Sequence, residues 1–135
     1  VTKVEVTGSA VPRFPRREIA EFARKVLRHV EHDARELSIA FVDDDAMREL
    51  NRRFRRKNKT TDVLTFPGDG PFLGDIVISL DQARRQAADE KHSLATEVRY
   101  LILHGILHAL GYDHETDDGE MTALEVKVRP MVGLT

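Results

Sequence analysis

Residues 94–114 read LATEVRYLILHGILHALGYDH, a long helical pattern. Ser93 precedes it as a capping residue, and Leu94, Val98, Leu101, Ile102 and Leu107 form its buried side. Gly111 stops it, because glycine readily takes the left-handed conformation that ends a helix. On such a helix His104 and His108 lie roughly 40° apart around the axis and one turn apart along it, so both imidazoles project from one face. The turn Tyr112-Asp113 then swings His114 back toward the open side of the same point.

The elements on either side place this helix in a fold. Val4 and Val6 alternate with Lys3 and Glu5 as in a half-buried strand. Pro12 and Pro15 break the chain, and Ile19, Phe22, Val26, Leu27 and Val30 then paint one face of a helix over about residues 16–32. Leu37–Val42 is a compact apolar strand closed by Asp43-Asp44-Asp45, carboxylates suited to cap a second helix bearing Met47, Leu50 and Phe54. Lys57–Thr61 reads as a loop. Asp62–Phe66 and Asp75–Leu80 read as strands joined by a Pro- and Gly-rich connection from Pro67 to Gly74. Asp81 is the expected cap of a third helix reaching Lys91, and a last helix is expected from Asp118 to Val128, ended by Pro130. The order β-α-β-α-β-β-α-α-α predicts an α/β (α+β) domain over residues 1–135: a mixed four-stranded sheet packed by helices around a central metal-binding helix.

Composition narrows the chemistry. The chain has 135 residues, 41% hydrophobic and 33% charged, the balance of one ordinary globular domain. It has no cysteine, so a metal must be held by histidines and carboxylates. Apolar runs such as Tyr100–Leu103 are too short to span a bilayer, and the first residues lack the apolar stretch of a signal peptide. A cytoplasmic protein without membrane contact is expected. The formal net charge of −2 predicts no general affinity for DNA or other nucleic acid.

Half of the six histidines fall between positions 104 and 114. Three neutral imidazoles leave a fourth tetrahedral position for water, as in catalytic rather than structural zinc, so one Zn2+ per chain is expected on His104, His108 and His114. The spacing His-x₃-His-x₂-Gly-x₂-His is that of metzincin proteases. Position 105, however, is Gly where those enzymes carry the glutamate that activates water.

The segment from His104 through Gly111-Tyr112-Asp113-His114 resembles the signature of the YbeY family of bacterial ribosomal-RNA maturation endoribonucleases. Leu50-Asn51 with Phe54-Arg55, then Thr61-Asp62-Val63-Leu64-Thr65-Phe66-Pro67, is similar to that family's central block, and Gly74-Asp75-Ile76-Val77-Ile78-Ser79 to its following strand. After Leu124-Glu125 the chain departs from the family pattern, with Val-Lys-Val-Arg-Pro in place of a second Glu and an apolar helix end. The resemblance implies zinc on the three histidines, a functional arginine at Arg55 and single-stranded RNA as substrate. It further implies end maturation of small-subunit ribosomal RNA, ribosome quality control, and the small ribosomal subunit with its associated factors as partners.

Around these residues the sequence allows more than one role. Arg48, Arg52, Arg53, Arg55, Arg56, Lys57 and Lys59 make a concentrated positive region able to meet phosphates, or simply a solvated helix face. Arg55 is the expected catalytic arginine, with Arg52 and Arg56 as further substrate contacts; its structural alternative is an ion pair with Asp62 or Asp75. Asp62, Asp75 and Asp113 are candidates to orient the ligand histidines through their free ring nitrogens, or to serve the fold alone. His114 is both a ligand and a candidate catalytic group, and the nucleophile is either metal-bound hydroxide or the neighbouring ribose 2′-OH. Met121 falls where a Met-turn would lie, yet its spacing with Leu124 and Val128 suits ordinary packing. His29, His32 and His92 belong to no constellation. No RNA-binding-module motif or pattern of interleaved aromatics is present, so base-specific readout is not expected. Two other readings are a metzincin-like metallopeptidase, with Glu97 or Glu120 replacing the missing base, and a non-catalytic ribosome-binding factor stapled by zinc.

Overall fold

The computed structural model describes residues 2–30 and 35–135. Strand β1 (Lys3–Gly8) is followed by α1 (Arg16–Val30), β2 (Glu36–Val42), α2 (Asp44–Arg55), β3 (Val63–Pro67) and β4 (Phe72–Ser79). Helices α3 (Leu80–Glu90), α4 (Leu94–Ala109) and α5 (Glu120–Val128) complete the chain, with a 3₁₀ turn over Arg129–Val132. The sheet order is β1-β2-β4-β3; β2 pairs parallel with β1 and β4, whereas β3 runs antiparallel to β4 at the edge. This is the expected mixed four-stranded sheet. The end of the first predicted helix, including His32, lies outside the described residues.

Side-chain alternation splits the sheet into two faces. Leu37, Ile39, Phe41, Ile76 and Ile78 belong to the main core with Phe22, Val26 and Leu27 of α1 and Val98, Leu101, Ile102, Leu103 and Ile106 of α4. Leu64 and Val77, partners across β3 and β4, pack on the other face against Met47 of α2, with Leu50 and Phe66 beside them. Helix α4 is therefore buried along most of its length and lies against β3 and β4. Gly105 permits that approach: a Cβ there would come within 2.8 Å of the Ile76 side chain.

Local capping corrects two sequence expectations. Ser79, not Asp81, caps α3 by accepting the Gln82 N–H. Asp81 instead accepts the Asp44 N–H at 3.0 Å, tying the start of α3 to the start of α2. Asp43 caps α2 through the Ala46 N–H, as its position predicts. Pro130 does not simply end the last helix, because the chain tightens into the 3₁₀ turn with Pro130 inside it. Phe54, placed by periodicity with Met47 and Leu50, is 58% exposed and meets Phe66 edge-on at 5.2 Å between ring centroids. Strand β4 begins at Phe72, so the β3–β4 connection is shorter than Pro67 to Gly74.

Candidate metal centre

The last turn of α4 ends as a paired glycine motif. Gly111, at φ +103°, donates its N–H to the His108 carbonyl, and Tyr112 donates to the Leu107 carbonyl. This satisfies two carbonyls that a helix end leaves free and turns the chain sharply. Asp113 then accepts the Glu115 N–H on its carboxylate and the Thr116 and Asp117 N–H groups on its carbonyl. The resulting turn holds His114 across from His104 and His108.

One donor nitrogen from each histidine falls within 4.8 Å of the other two. The closest pair is Nε2 of His104 and Nε2 of His108, 3.1 Å apart. Two nitrogens each bound at zinc's usual distance in a tetrahedron stand about 3.3 Å apart, so the pair already has the spacing of an edge. Nδ1 of His104 is engaged by Glu125 Oε1 at 2.7 Å, which turns Nε2 toward the other two rings. Burial, then the neighbouring His104 and His114, push the His108 pKa down; Asp113 and a backbone hydrogen bond at Tyr112 oppose this only in part. His108 is thus held in the neutral form that binds metal. The donor set and its spacing fit a borderline cation such as zinc.

Glu125 was not legible as a site residue, because it lies 21 positions from His104 and on another helix. Burial alone would raise its pKa, but the hydrogen bond and charge of His104, with Arg129, hold it below the usual carboxylate range. Arg129 Nη2 donates to Glu125 Oε2 at 3.3 Å. Arg129, at the end of the last helix, therefore supplies the cation behind this carboxylate.

The histidines open on a cleft of about 430 Å³ lined also by Arg55, Thr61, Asp62, Val63, Thr65, Pro67, Tyr112, Asp113 and Glu115. Arg55 stands at the C-terminal end of α2, exposed, and makes no ion pair with Asp62 or Asp75 among the described residues. Arg52 pairs with Glu49 at 2.6 Å, and Arg56 is the left-handed cap of α2; neither lines the cleft. Of the three candidate aspartates, Asp62 and Asp113 line the cleft, whereas Asp75 sits on β4 opposite Phe66. Asp62, just before β3, accepts the Val63 N–H and Gln86 Nε2, and Asp113 shapes its turn. Glu115 joins them as a lining carboxylate with no motif to mark it in the sequence. Buried Asn51 donates to the Lys59 carbonyl and accepts the Lys57 N–H on its own, fixing the loop between Arg55 and the cleft wall.

The carboxylates considered as replacements for a protease base lie elsewhere. Glu97 is buried and bound to His92 and Gln86, and Glu120 accepts the Asp118 N–H at the start of α5. Position 105 points at Ile76 in the sheet rather than into the cleft. Met121 is fully buried in the main core, as its spacing suggested.

Among the described residues no helix is long and apolar enough to cross a membrane. A family model described as Endoribonuclease YbeY matches residues 7–132. A protein named Endoribonuclease YbeY from Solibacter usitatus is 45% identical over 130 residues, which are 96% of this chain and 88% of that one. Its namesake from Nautilia profundicola is 50% identical over 97 residues, 70% of each chain. A solution structure of a protein from Thermotoga maritima superposes with a TM-score of 0.68 at 27% identity, covering 96% of this chain and 88% of the other. Motif order, fold and the matched length agree, and the chain belongs to the Endoribonuclease YbeY family.

Proposed function

We propose that the protein is a zinc-dependent endoribonuclease that cleaves single-stranded RNA in the cytoplasm, acting on the ends of small-subunit ribosomal RNA and in ribosome quality control. The observation that carries this reading is the convergence of three histidine nitrogens and the guanidinium of Arg55, without an ion pair among the described residues, on one open cleft. The relatives named as endoribonucleases support RNA as the substrate.

His104, His108 and His114 would hold the ion, which would supply Lewis-acid polarisation at the scissile phosphate or activation of water. Glu125 keeps the His104 ring in the ligating orientation, the usual task of a carboxylate behind a ligand histidine. Arg55 binds the phosphate through a planar fork of N–H groups and offsets the negative charge that grows on the phosphoryl oxygens. Its position at a helix end lets it reach the cleft without the desolvation cost of a buried cation. Asp62, Asp113 and Glu115 are the lining groups available to accept a proton from the nucleophile or return one to the leaving oxygen.

A metallopeptidase reading retains only the histidine spacing, since Gly105 faces the core and Glu97 and Glu120 are engaged elsewhere. The test is degradation of single-stranded RNA by purified protein with and without chelator, beside peptide substrates. Chelator-sensitive RNA cleavage with intact peptides is expected. Peptide cleavage without RNA cleavage would reverse the assignment.

A further inference from the structure

Phe54 stands in the most basic stretch of the chain yet is left 58% exposed, the most of any large hydrophobic side chain among the described residues. Single exposed hydrophobics are ordinary. This one is built into its surroundings. Phe66 meets its ring edge-on at 5.2 Å, which fixes the orientation of a ring that stays largely exposed. The Arg53 guanidinium lies over the Phe54 ring, 5.5 Å from its centroid, and puts positive charge against one of its faces.

The location gives the ring a partner. Phe54 is the neighbour of Arg55, and successive helix residues diverge by roughly 100°, so Arg55 enters the cleft while Phe54 turns to Phe66. Along β3, Thr65 faces α4 with its hydroxyl on the Gly105 carbonyl, and Phe66 lies on the α2 side. Strand β3 is the sheet edge. A chain leaving the cleft past Arg55 therefore crosses this edge and arrives at Phe54. Along that route Arg55, Arg56, Lys57 and Lys59 are exposed and without ion pairs among the described residues; Arg52 alone of this group is neutralised, by Glu49.

We propose that Phe54, braced by Phe66, is a stacking platform for an unpaired base of the RNA strand whose neighbouring phosphate is held at Arg55. The inference rests on the endoribonuclease reading and adds the feature recognised beyond the scissile phosphate. Stacking on an aromatic face is tolerant of base identity, and the surrounding cations follow the backbone. A duplex cannot offer the contact, because its bases are stacked on one another. The platform thus supplies selection for single strands, which the scattered aromatics of the sequence did not foretell. A second copy of this chain or an acidic protein are the other occupants such a surface could take, and the charge around Phe54 together with its adjacency to Arg55 favours a polyanion with flat rings.

The experiment compares dissociation constants of the intact protein for a short oligoribonucleotide and for an abasic oligomer of equal length and charge, in wild type, Phe54→Ala, Phe54→Trp and Arg55→Ala. Wild type should bind the base-bearing strand about 5–150-fold more tightly, the range expected for one stacked base. Phe54→Ala should erase most of that preference while keeping its affinity for the abasic strand, Phe54→Trp should keep or extend it, and Arg55→Ala should weaken both strands alike. A preference unchanged in Phe54→Ala overturns the platform but leaves the nuclease assignment standing. No binding of either strand by wild type overturns both. Dimerisation that Phe54→Ala abolishes, with RNA preference intact, assigns the surface to a second copy and overturns the inference. Phe54 is exposed enough that its replacement leaves folding intact, which an unchanged melting temperature verifies.

Discussion

Oε1 of Glu125 on α5 lies 2.7 Å from Nδ1 of His104 on α4, and Arg129 lies 3.3 Å from the second oxygen of the same carboxylate. The chain Arg129–Glu125–His104 joins the end of the last helix to the ring whose Nε2 faces His108. Carboxylates in this position typically contribute about 10–100-fold in metal affinity. Glu125→Ala should weaken zinc binding within that range in competition with a chromophoric chelator, and Glu125→Gln should weaken it less because a hydrogen bond can survive. Arg129→Ala should have the smallest effect of the three. Equal zinc affinity in Glu125→Ala and wild type would contradict the role assigned to the carboxylate.

Arg55 should separate binding of metal from turnover. Arg55→Ala should retain the full zinc content and lose RNA cleavage by about 100-fold or more, the scale seen when one donor to a developing oxyanion is removed. Arg55→Lys should recover only part, since an ammonium lacks the planar fork. Metal loss in Arg55→Ala would show that its effect is structural.

Gly105 tests why the protease glutamate is absent. Gly105→Glu should not create a peptidase, because the new side chain starts within 2.8 Å of Ile76 and faces the sheet. Overpacking a core position costs about 1–3 kcal/mol, and an unpaired buried carboxylate adds to it. A marked fall in the thermal midpoint without peptide cleavage is expected, and Gly105→Ala should show a smaller fall.

Acid should weaken the metal-free protein through His108. Its folded pKa lies below the unfolded value of 6.5, mainly through burial, so the unfolded chain binds more protons as pH falls. The stabilisation is complete above about pH 6.5 and is lost as pH descends through the folded pKa. Glu125, also depressed, adds a second loss below its ordinary value of 4.5. Thermal midpoints from pH 8 to 4 should show the first decline, and His108→Asn should remove it. A His108→Asn profile identical to wild type would contradict this origin.

Much of the frame was legible because it is written in local patterns. Alternation marked β1, a compact apolar run marked β2, three- and four-residue spacing marked α1 and α4, and Gly111 announced the turn that brings His114 to His104 and His108. What escaped is non-local. Glu125 meets His104 only after α5 folds back, and no spacing rule links positions 21 apart on different helices. Ser79 and Asp81 are both capping types two residues apart, and the end of β4 selects the first. The sequence grouped Phe54 with Met47 and Leu50 on α2, but it sits one residue from the helix end and stays exposed while Met47 is buried. Gly105 read as a lost catalytic base; packing against Ile76 gives it a structural reason as well.

The most direct test of the central claim is zinc stoichiometry measured on the same preparation as RNA cleavage, before chelation, after chelation and after zinc is returned. The account predicts about one zinc per chain, cleavage that disappears with the metal and returns with it, and neither metal nor cleavage in His108→Ala. Cleavage of RNA that persists undiminished in chelated protein and in His108→Ala would contradict it.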